Sequence, residues 1–356
     1  MSDTARFSRG TIRFLKSLLA LYFILLSILV LSVTSQSSAN SVKRIVVVET
    51  MTLPLVQGGT EWFRKGMSDL GYTEGENVEY IVLNAKGNID RAQNLLNAEL
   101  EKQKPDMVIS VATLASRATR KILKDQDIPQ VFFFVADPIK EGFVSAIGEK
   151  SGTNITGRTH VVPAMAKIEV VKQSVKPLTS AGPLRVGIIH SSYPSATSDT
   201  TQLMTAAKND HELKFIDLGF DYIPGEEGRA KMHDNAMELI EQRRSEFDAL
   251  WFAAGPSEND LDFLKALKLK NIPILFSNHD NAVKSGALLA MVSNEQVNGT
   301  AAANLADQIF KGQDPSEIPI TRPNTYIISL NITTATELGT VIPSTLLELA
   351  GKNIYR

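Results

Sequence analysis

Residues 107–138 read MVISVATLASRATRKILKDQDIPQVFFFVADP, a pattern of strand, helix and strand. Met107 to Val111 is a short apolar run, and Leu114 to Lys124 carries apolar residues at helical spacing. Val131 to Val135 has no polar residue and runs straight into Ala136-Asp137-Pro138. Uninterrupted apolar strands separated by amphipathic helices belong to parallel sheets buried on both faces.

The same rhythm extends upstream. Ile45-Val46-Val47-Val48 is an apolar β-branched run, followed from about Gly59 by a helix with Trp62, Phe63, Met67 and Leu70 on one face. Gly71 stands where a helix C-terminal cap belongs. Val78, Tyr80 and Val82 alternate as a strand, and Ile89 to Lys104 is a helix stopped by Pro105. Downstream the rhythm restarts with a helix at 164–175 and strands at 185–190, 214–218, 249–252 and 272–276, with helices at 195–209, 229–244 and 258–267 between them. Two successive units of one pattern predict an α/β protein of two doubly wound, Rossmann-like lobes with parallel sheets. The tail (a strand at 287–292, a helix at 294–311, an irregular stretch at 312–323, a strand at 325–330 and two short helices) has the elements to recross between lobes as a multi-strand hinge.

The first 39 residues read as an export signal. Arg6, Arg9, Arg13 and Lys16 precede an apolar run from Leu18 to Val33, and small residues lead to a cleavage position after Ala39. Kept uncleaved, the same run would be an anchor. Removing it leaves 317 residues with a net charge of −5, against −2 for the whole chain of 356. That balance, with no basic cluster, argues against nucleic acid. There is no cysteine, which excludes disulfides, thiolate nucleophiles and a lipid-attachment cysteine. The expected compartment is a Gram-negative periplasm, and the protein is not expected to be a lipoprotein.

Ligands of open parallel sheets bind beyond the carboxyl ends of the strands. Those ends carry Thr50 and Met51, Ala112 and Thr113, and Asp137 in the first unit, and Ser191, Ser192, Tyr193, Gly255, Ser277 and Asn278 in the second. Ala254, Pro256 and Ser257 flank Gly255. Small hydroxyl and amide residues with one carboxylate suit a neutral or zwitterionic solute. Taken singly, each is better explained as a helix N-cap, but as a set facing one crevice they are better explained as a binding rim. Asp137 could pair with an ammonium group or cap the next helix. Tyr193, and less directly Met51 and Tyr222, could face an apolar part of a ligand, whereas Trp62 and Trp251 fall at core positions.

Signatures of catalysis are missing. The five histidines show no metal-ligand spacing, there is no Gly-x-Ser-x-Gly elbow, and Gly148-Glu149-Lys150-Ser151 reads as a surface turn. No enzyme activity, metal or cofactor is expected.

The run from Val131 through Asp137-Pro138-Ile139 to Gly142-Phe143-Val144-Ser145 and Gly152-Thr153-Asn154-Ile155-Thr156-Gly157 resembles the signature of ABC transporter substrate-binding proteins of the tryptophan/tyrosine-binding type. Gly66, Leu70-Gly71-Tyr72, Asp280, Val283, Gly286-Ala287-Leu288, Asn331, Leu338-Gly339 and Ile342-Pro343 agree, so the likeness spans about 45–354. It implies the type I periplasmic-binding fold, with 43–158 plus 293–323 as one lobe and 159–292 plus 324–356 as the other. It also implies a monomer that passes a small-molecule ligand, an amino acid or related compound, to an ABC permease and its ATPase. Membrane contact would be through that permease or an uncleaved N-terminus. The other reading is a sensory module on the same fold, signalling to a kinase or cyclase. Three places near the expected cleft depart from the pattern: Glu49–Pro54 lacks a histidine, Ser293–Asn298 lacks an aromatic pair, and His190–Tyr193 replaces Tyr-Asn-Pro.

Overall fold

The computed structural model describes residues 42–179, 182–256 and 261–356. Residues 1–39, expected from the sequence to direct export, and the candidate Ser257 lie outside them. Among the described residues no helix is long and apolar enough to cross a membrane.

The first lobe contains β1 (Lys43–Glu49), α1 (Pro54–Asp69), β2 (Val78–Asn84), α2 (Ile89–Lys102), β3 (Met107–Val111), α3 (Thr113–Leu123), β4 (Gln130–Val135) and β5 (Ile155–Thr159). Its five strands are all parallel, in the order β2-β1-β3-β4-β5. Helix α1 begins earlier than its apolar face suggests, because Pro54 supplies a favourable first helical residue. Strand β5 has too little apolar content to be read from sequence. Its Gly157 is required by crowding, since a Cβ there would lie 2.3 Å from the Phe132 carbonyl oxygen.

The second lobe contains α4 (Ala164–Val175), β6 (Leu184–Ser191), α5 (Pro194–Ala206), β7 (Leu213–Phe220), α6 (Glu226–Gln242), β8 (Ala249–Phe252), α7 (Leu261–Leu269), β9 (Ile274–Ser277), α8 (Asp280–Lys284) and β10 (Leu289–Val292). Then follow α9 (Glu295–Phe310), β11 (Ile327–Asn331), α10 (Ile332–Glu337), α11 (Ser344–Ala350) and β12 (Ile354–Tyr355). The sheet order is β12-β11-β10-β9-β8-β6-β7. Its strands are parallel except at β10–β11, which pair antiparallel.

The chain passes between the sheets three times. The first pass follows β5, and the second follows β10. The third follows an extended stretch in which Pro319 and Thr321 bridge to Lys150 and Arg158 of the first lobe.

Strand β4 is bulged between Phe133 and Val135, with Phe134 at φ +60°. Simple alternation would put Phe132 and Phe134 on one face. The bulge instead sends Phe133 and Phe134 together into the core under α1, while Phe132 and Val135 face Phe143 and Ile320 on the other side. It also offsets by one residue the direction in which the chain leaves toward Asp137.

Helix α9 lies against α1 with almost no side chain between the backbones. A Cβ on Gly299 would sit 2.6 Å from the Gly59 carbonyl oxygen, and one on Gly66 would sit 2.8 Å from the Ala303 Cβ. This contact ties the second pass of the chain to the first lobe. Gly299→Val is expected to cost about 1–3 kcal/mol by overpacking, read as a lower midpoint in urea unfolding. An unchanged midpoint would show that the helices can separate freely.

Candidate functional site

The carboxyl ends of the two sheets face each other, and among the described residues Tyr193, Tyr222 and Gln202 of the second lobe reach the first lobe there. Tyr193 precedes Pro194, the first residue of α5, and is buried although it lies in a connection. Its hydroxyl meets the Thr50 side chain and the Leu114 backbone of the first lobe, and burial pushes its pKa up. Tyr222 packs edge-on against it, with ring centroids 4.9 Å apart. The Tyr222 hydroxyl donates to the Gly87 carbonyl at 3.1 Å, and burial raises its pKa to about 12. Gly87 is needed there twice over: its φ is +74°, and an added Cβ would lie 2.2 Å from the Tyr222 oxygen. The third contact is the Gln202 amide of α5, which donates to the Asp137 carboxylate at 3.1 Å.

Three non-glycine residues with positive φ sit on this side of the first sheet: Lys86 (+50°), Ala112 (+71°) and Phe134 (+60°). Ala112, with ψ 169°, occupies a region that almost only glycine enters, at a cost of about 1–3 kcal/mol. Backbone strain gathered at one edge of a sheet marks a place where position matters more than local stability.

The residues singled out from the sequence are divided by the structure. Thr50, Thr113, Ser191 and Ser277 are buried and bonded within their own lobes. Thr50 donates to the Val111 carbonyl at 2.8 Å and accepts from the Ala115 N–H at 3.0 Å. Thr113 accepts from the Ala136 N–H at 3.2 Å, and Ser191 and Ser277 accept from the Tyr193 and His279 N–H groups. Asn278 donates to the Phe252 carbonyl, Ser192 accepts from the Tyr222 N–H, and Gly255 packs on Ala196 of α5. Asp137 uses its second oxygen to accept from the Lys140 N–H at 3.0 Å.

Of the residues singled out, Met51, Tyr222 and Pro256 border the open space between the lobes, a cavity of about 840 Å³. Leu53 and Lys86 join them from the first lobe, and Phe220, Met232 and Phe263 from the second. Lys86, Gly87 and Gln202 were missed in the sequence because a cationic turn residue and a mid-helix glutamine have no local signature. The Lys-Gly pair after β2 was the one available hint of a turn.

Beneath the contact lies a buried charge cluster. Lys167 of α4 and Asp199 of α5 form an ion pair with both side chains almost wholly excluded from solvent. The other Asp199 oxygen accepts from the Ala254 N–H at 2.9 Å, and the lysine ammonium lies 5.6 Å above the Phe276 ring. His160 opens the first pass between the lobes, its ring edge-on to Phe134 at 5.4 Å. Burial pushes its pKa down to about 4 against the attraction of Asp199, and its Nδ1 has no hydrogen-bond partner. Among the described residues no group of three or more His, Cys, Asp or Glu side chains could hold a metal ion.

The family model described as ABC transporter substrate binding protein matches residues 41–223 and 257–354. The chain belongs to that family. The binding protein is 23% identical over 305 residues to a tyrosine-binding protein of Clostridioides difficile (strain R20291), covering 83% of this chain and 81% of the relative. Its fold matches an ABC domain in complex with L-Trp from Streptococcus pneumonia with a TM-score of 0.74 at 20% identity, over 89% of this chain and 100% of that one. It also matches a ligand-free, open substrate-binding protein with adhesive properties from Clostridium difficile, at TM-score 0.62 and 21% identity, over 88% and 98% of the two chains. The fold is that of type I periplasmic binding proteins, and the protein binds a solute rather than catalysing a reaction.

Two outcomes follow from the buried cluster. Lys167→Met strands the Asp199 charge and is expected to cost about 3–5 kcal/mol, measured by urea unfolding. For His160 the unfolded state takes up a proton below about pH 6.5, while the folded state resists until about pH 4. Stability therefore falls as pH drops through that window, by on the order of 2 kcal/mol for a ring that keeps some exposure. His160→Phe should flatten that decline, and an unaltered pH profile would dismiss the effect.

Proposed function

We propose that this protein is the periplasmic receptor of an ABC importer, without a lipid anchor. The lobes 43–158 plus 293–323 and 159–292 plus 324–356 close on a small molecule, an amino acid or related compound, and present it to a permease driven by an ATPase. The observation that carries this reading is the set of lobe-to-lobe contacts from Tyr193, Tyr222 and Gln202 to the carboxyl-end side of the first sheet, with Tyr222 also lining the cavity between the lobes. Contacts of one or two hydrogen bonds each can form and break with hinge motion, and three chain passes restrict that motion to opening and closing. The tyrosine-binding relative and the L-Trp complex support the amino-acid class.

In this role Asp137 is a closing contact: it receives the Gln202 amide only when the lobes meet. Asp137→Ala should weaken solute binding by about 1.5–3 kcal/mol, as expected for a lost hydrogen bond to a charged group, and should raise the dissociation rate more than it lowers the association rate. The test is protein purified from periplasm, with its bound solute identified by native mass spectrometry and closure followed by X-ray scattering. A mature chain beginning at Asn40, a retained solute and a smaller radius of gyration are the expected results. Retention of residues 1–39 in the membrane, with neighbouring kinase or cyclase genes, would favour the sensory reading instead.

A further inference from the structure

We infer that Tyr222 is the side chain through which a solute in the cavity holds the lobes closed: its ring meets the solute, and its hydroxyl fastens to the Gly87 carbonyl. This rests on the reading of the protein as a solute receptor and names the residue that couples occupancy to closure.

Position is the first argument. The contacts made by Tyr193 and Gln202 stand away from the cavity. Neither residue borders it, nor do Thr50 and Asp137, with which they pair, and Tyr193 is only 3% exposed. Tyr222 does border it. So do Met51 and Lys86 of the facing lobe, one packed near Gly87 and the other its neighbour in the chain. A Cβ on Gly87 would lie 3.4 Å from the Met51 Cε as well as 2.2 Å from the Tyr222 oxygen. A solute in the cavity therefore lies against the side chains that surround this hydrogen bond, and not against the other two contacts.

The fixed backbone on either side is the second argument. The Tyr222 N–H donates to the Ser192 Oγ at 2.9 Å, and the Ser192 N–H donates to the Phe220 carbonyl at 2.7 Å. These bonds pin the chain around Tyr222 to the end of β6. The Ile223 carbonyl that follows packs on Gly228, where a Cβ would lie 2.3 Å from it. On the first lobe the Gly87 N–H donates to the Thr50 carbonyl at 2.8 Å, and a φ of +74° sets the direction of its own carbonyl. Each end of the contact is thus fixed to its own lobe, and a hydrogen bond weakens steeply when its angle or length departs from the optimum. The 3.1 Å contact forms at one lobe angle and one orientation of the ring.

The ring's freedom is what a solute can change. Tyr193 packs edge-on against it at 4.9 Å, and the cavity lies against it as well. A solute packed there removes rotational freedom that the ring would otherwise lose when the hydroxyl bonds to Gly87. Occupancy then favours closure and closure favours occupancy by the same factor.

The chain has no cysteine, so Glu101→Cys on α2 and Lys231→Cys on α6, both at exposed positions, place one spin label on each lobe. Pulsed electron resonance then measures the distance between lobes in protein purified from periplasm, before and after its solute is removed by unfolding and refolding. L-Tryptophan and L-tyrosine are added to the emptied protein as probes. Retained solute or a bound probe should shorten the distance. Tyr222→Phe keeps the ring and removes the hydroxyl. It should abolish that shortening and speed dissociation of the solute or probe about five- to tenfold, as for one lost hydrogen bond. Gly87→Ala should act in the same way, and the double variant no more strongly than either alone. Gln202→Leu, which breaks a contact away from the cavity, should still shorten when solute is present. Shortening in Tyr222→Phe equal to that of the unaltered chain, or lost equally in Gln202→Leu, would overturn the inference and leave the receptor reading intact. Should Gly87→Ala fail to fold, Tyr222→Phe and Gln202→Leu decide. If no solute is retained and neither probe shortens the distance, the receptor reading falls and this inference with it.

Discussion

Lys167 and Asp199 share a site from which water is excluded, and much of the region between the lobes is organised around them. The lysine stands on the first helix after the chain leaves the first lobe. The aspartate stands on the helix that Tyr193 precedes and that carries Gln202. Its second oxygen holds the Ala254 amide, so one carboxylate aligns α4, α5 and the end of β8. A buried charge pair contributes little net stability compared with apolar residues of like shape, because desolvation offsets the attraction. What it supplies here is position: the elements that reach across the cleft are fixed relative to the hinge and to one another.

That alignment gives meaning to small features on the facing lobe. Gly87 admits the Tyr222 hydroxyl only because it has no side chain, and Thr50 lies where the Tyr193 hydroxyl arrives. The strained backbone at Lys86, Ala112 and Phe134 lies along the same edge. Strain of this kind persists where surrounding packing overrides it, and the phenylalanines beneath α1 provide such packing. The interlocked glycines of α1 and α9 belong to the same system. They clamp the second pass of the chain to the first lobe, so hinge motion does not loosen the helix that follows it.

Much of the fold was legible in the chain. The runs at Ile45–Val48 and Val131–Val135, and the helical faces between strands, predicted parallel sheets in two lobes, since strands covered on both sides must be apolar throughout. Strands β5 and β12 were not legible: one has a glycine at its centre and the other only two residues, so neither carries a pattern. The bulge at Phe134 was hidden for the opposite reason, because five apolar residues in a row, Val131 to Val135, fit either face. At the site, the sequence located the strand ends but could not distinguish a hydroxyl facing the cleft from one bonded inside its own lobe. Thr113 and Met51 were equal candidates by position. The structure turns the threonine inward to the Ala136 amide and leaves the methionine on the cavity wall.

By itself the sequence determined the α/β class, the repeated lobe and the family, because periodicity and local motifs are properties of short stretches of chain. Tertiary structure alone decided which side chains meet across the cleft: Tyr193 with Thr50, Tyr222 with Gly87, and Gln202 with Asp137. Those partners are 65 to 143 residues apart in the chain. Their meeting depends on the angle between two lobes, and no local preference of the backbone encodes that angle.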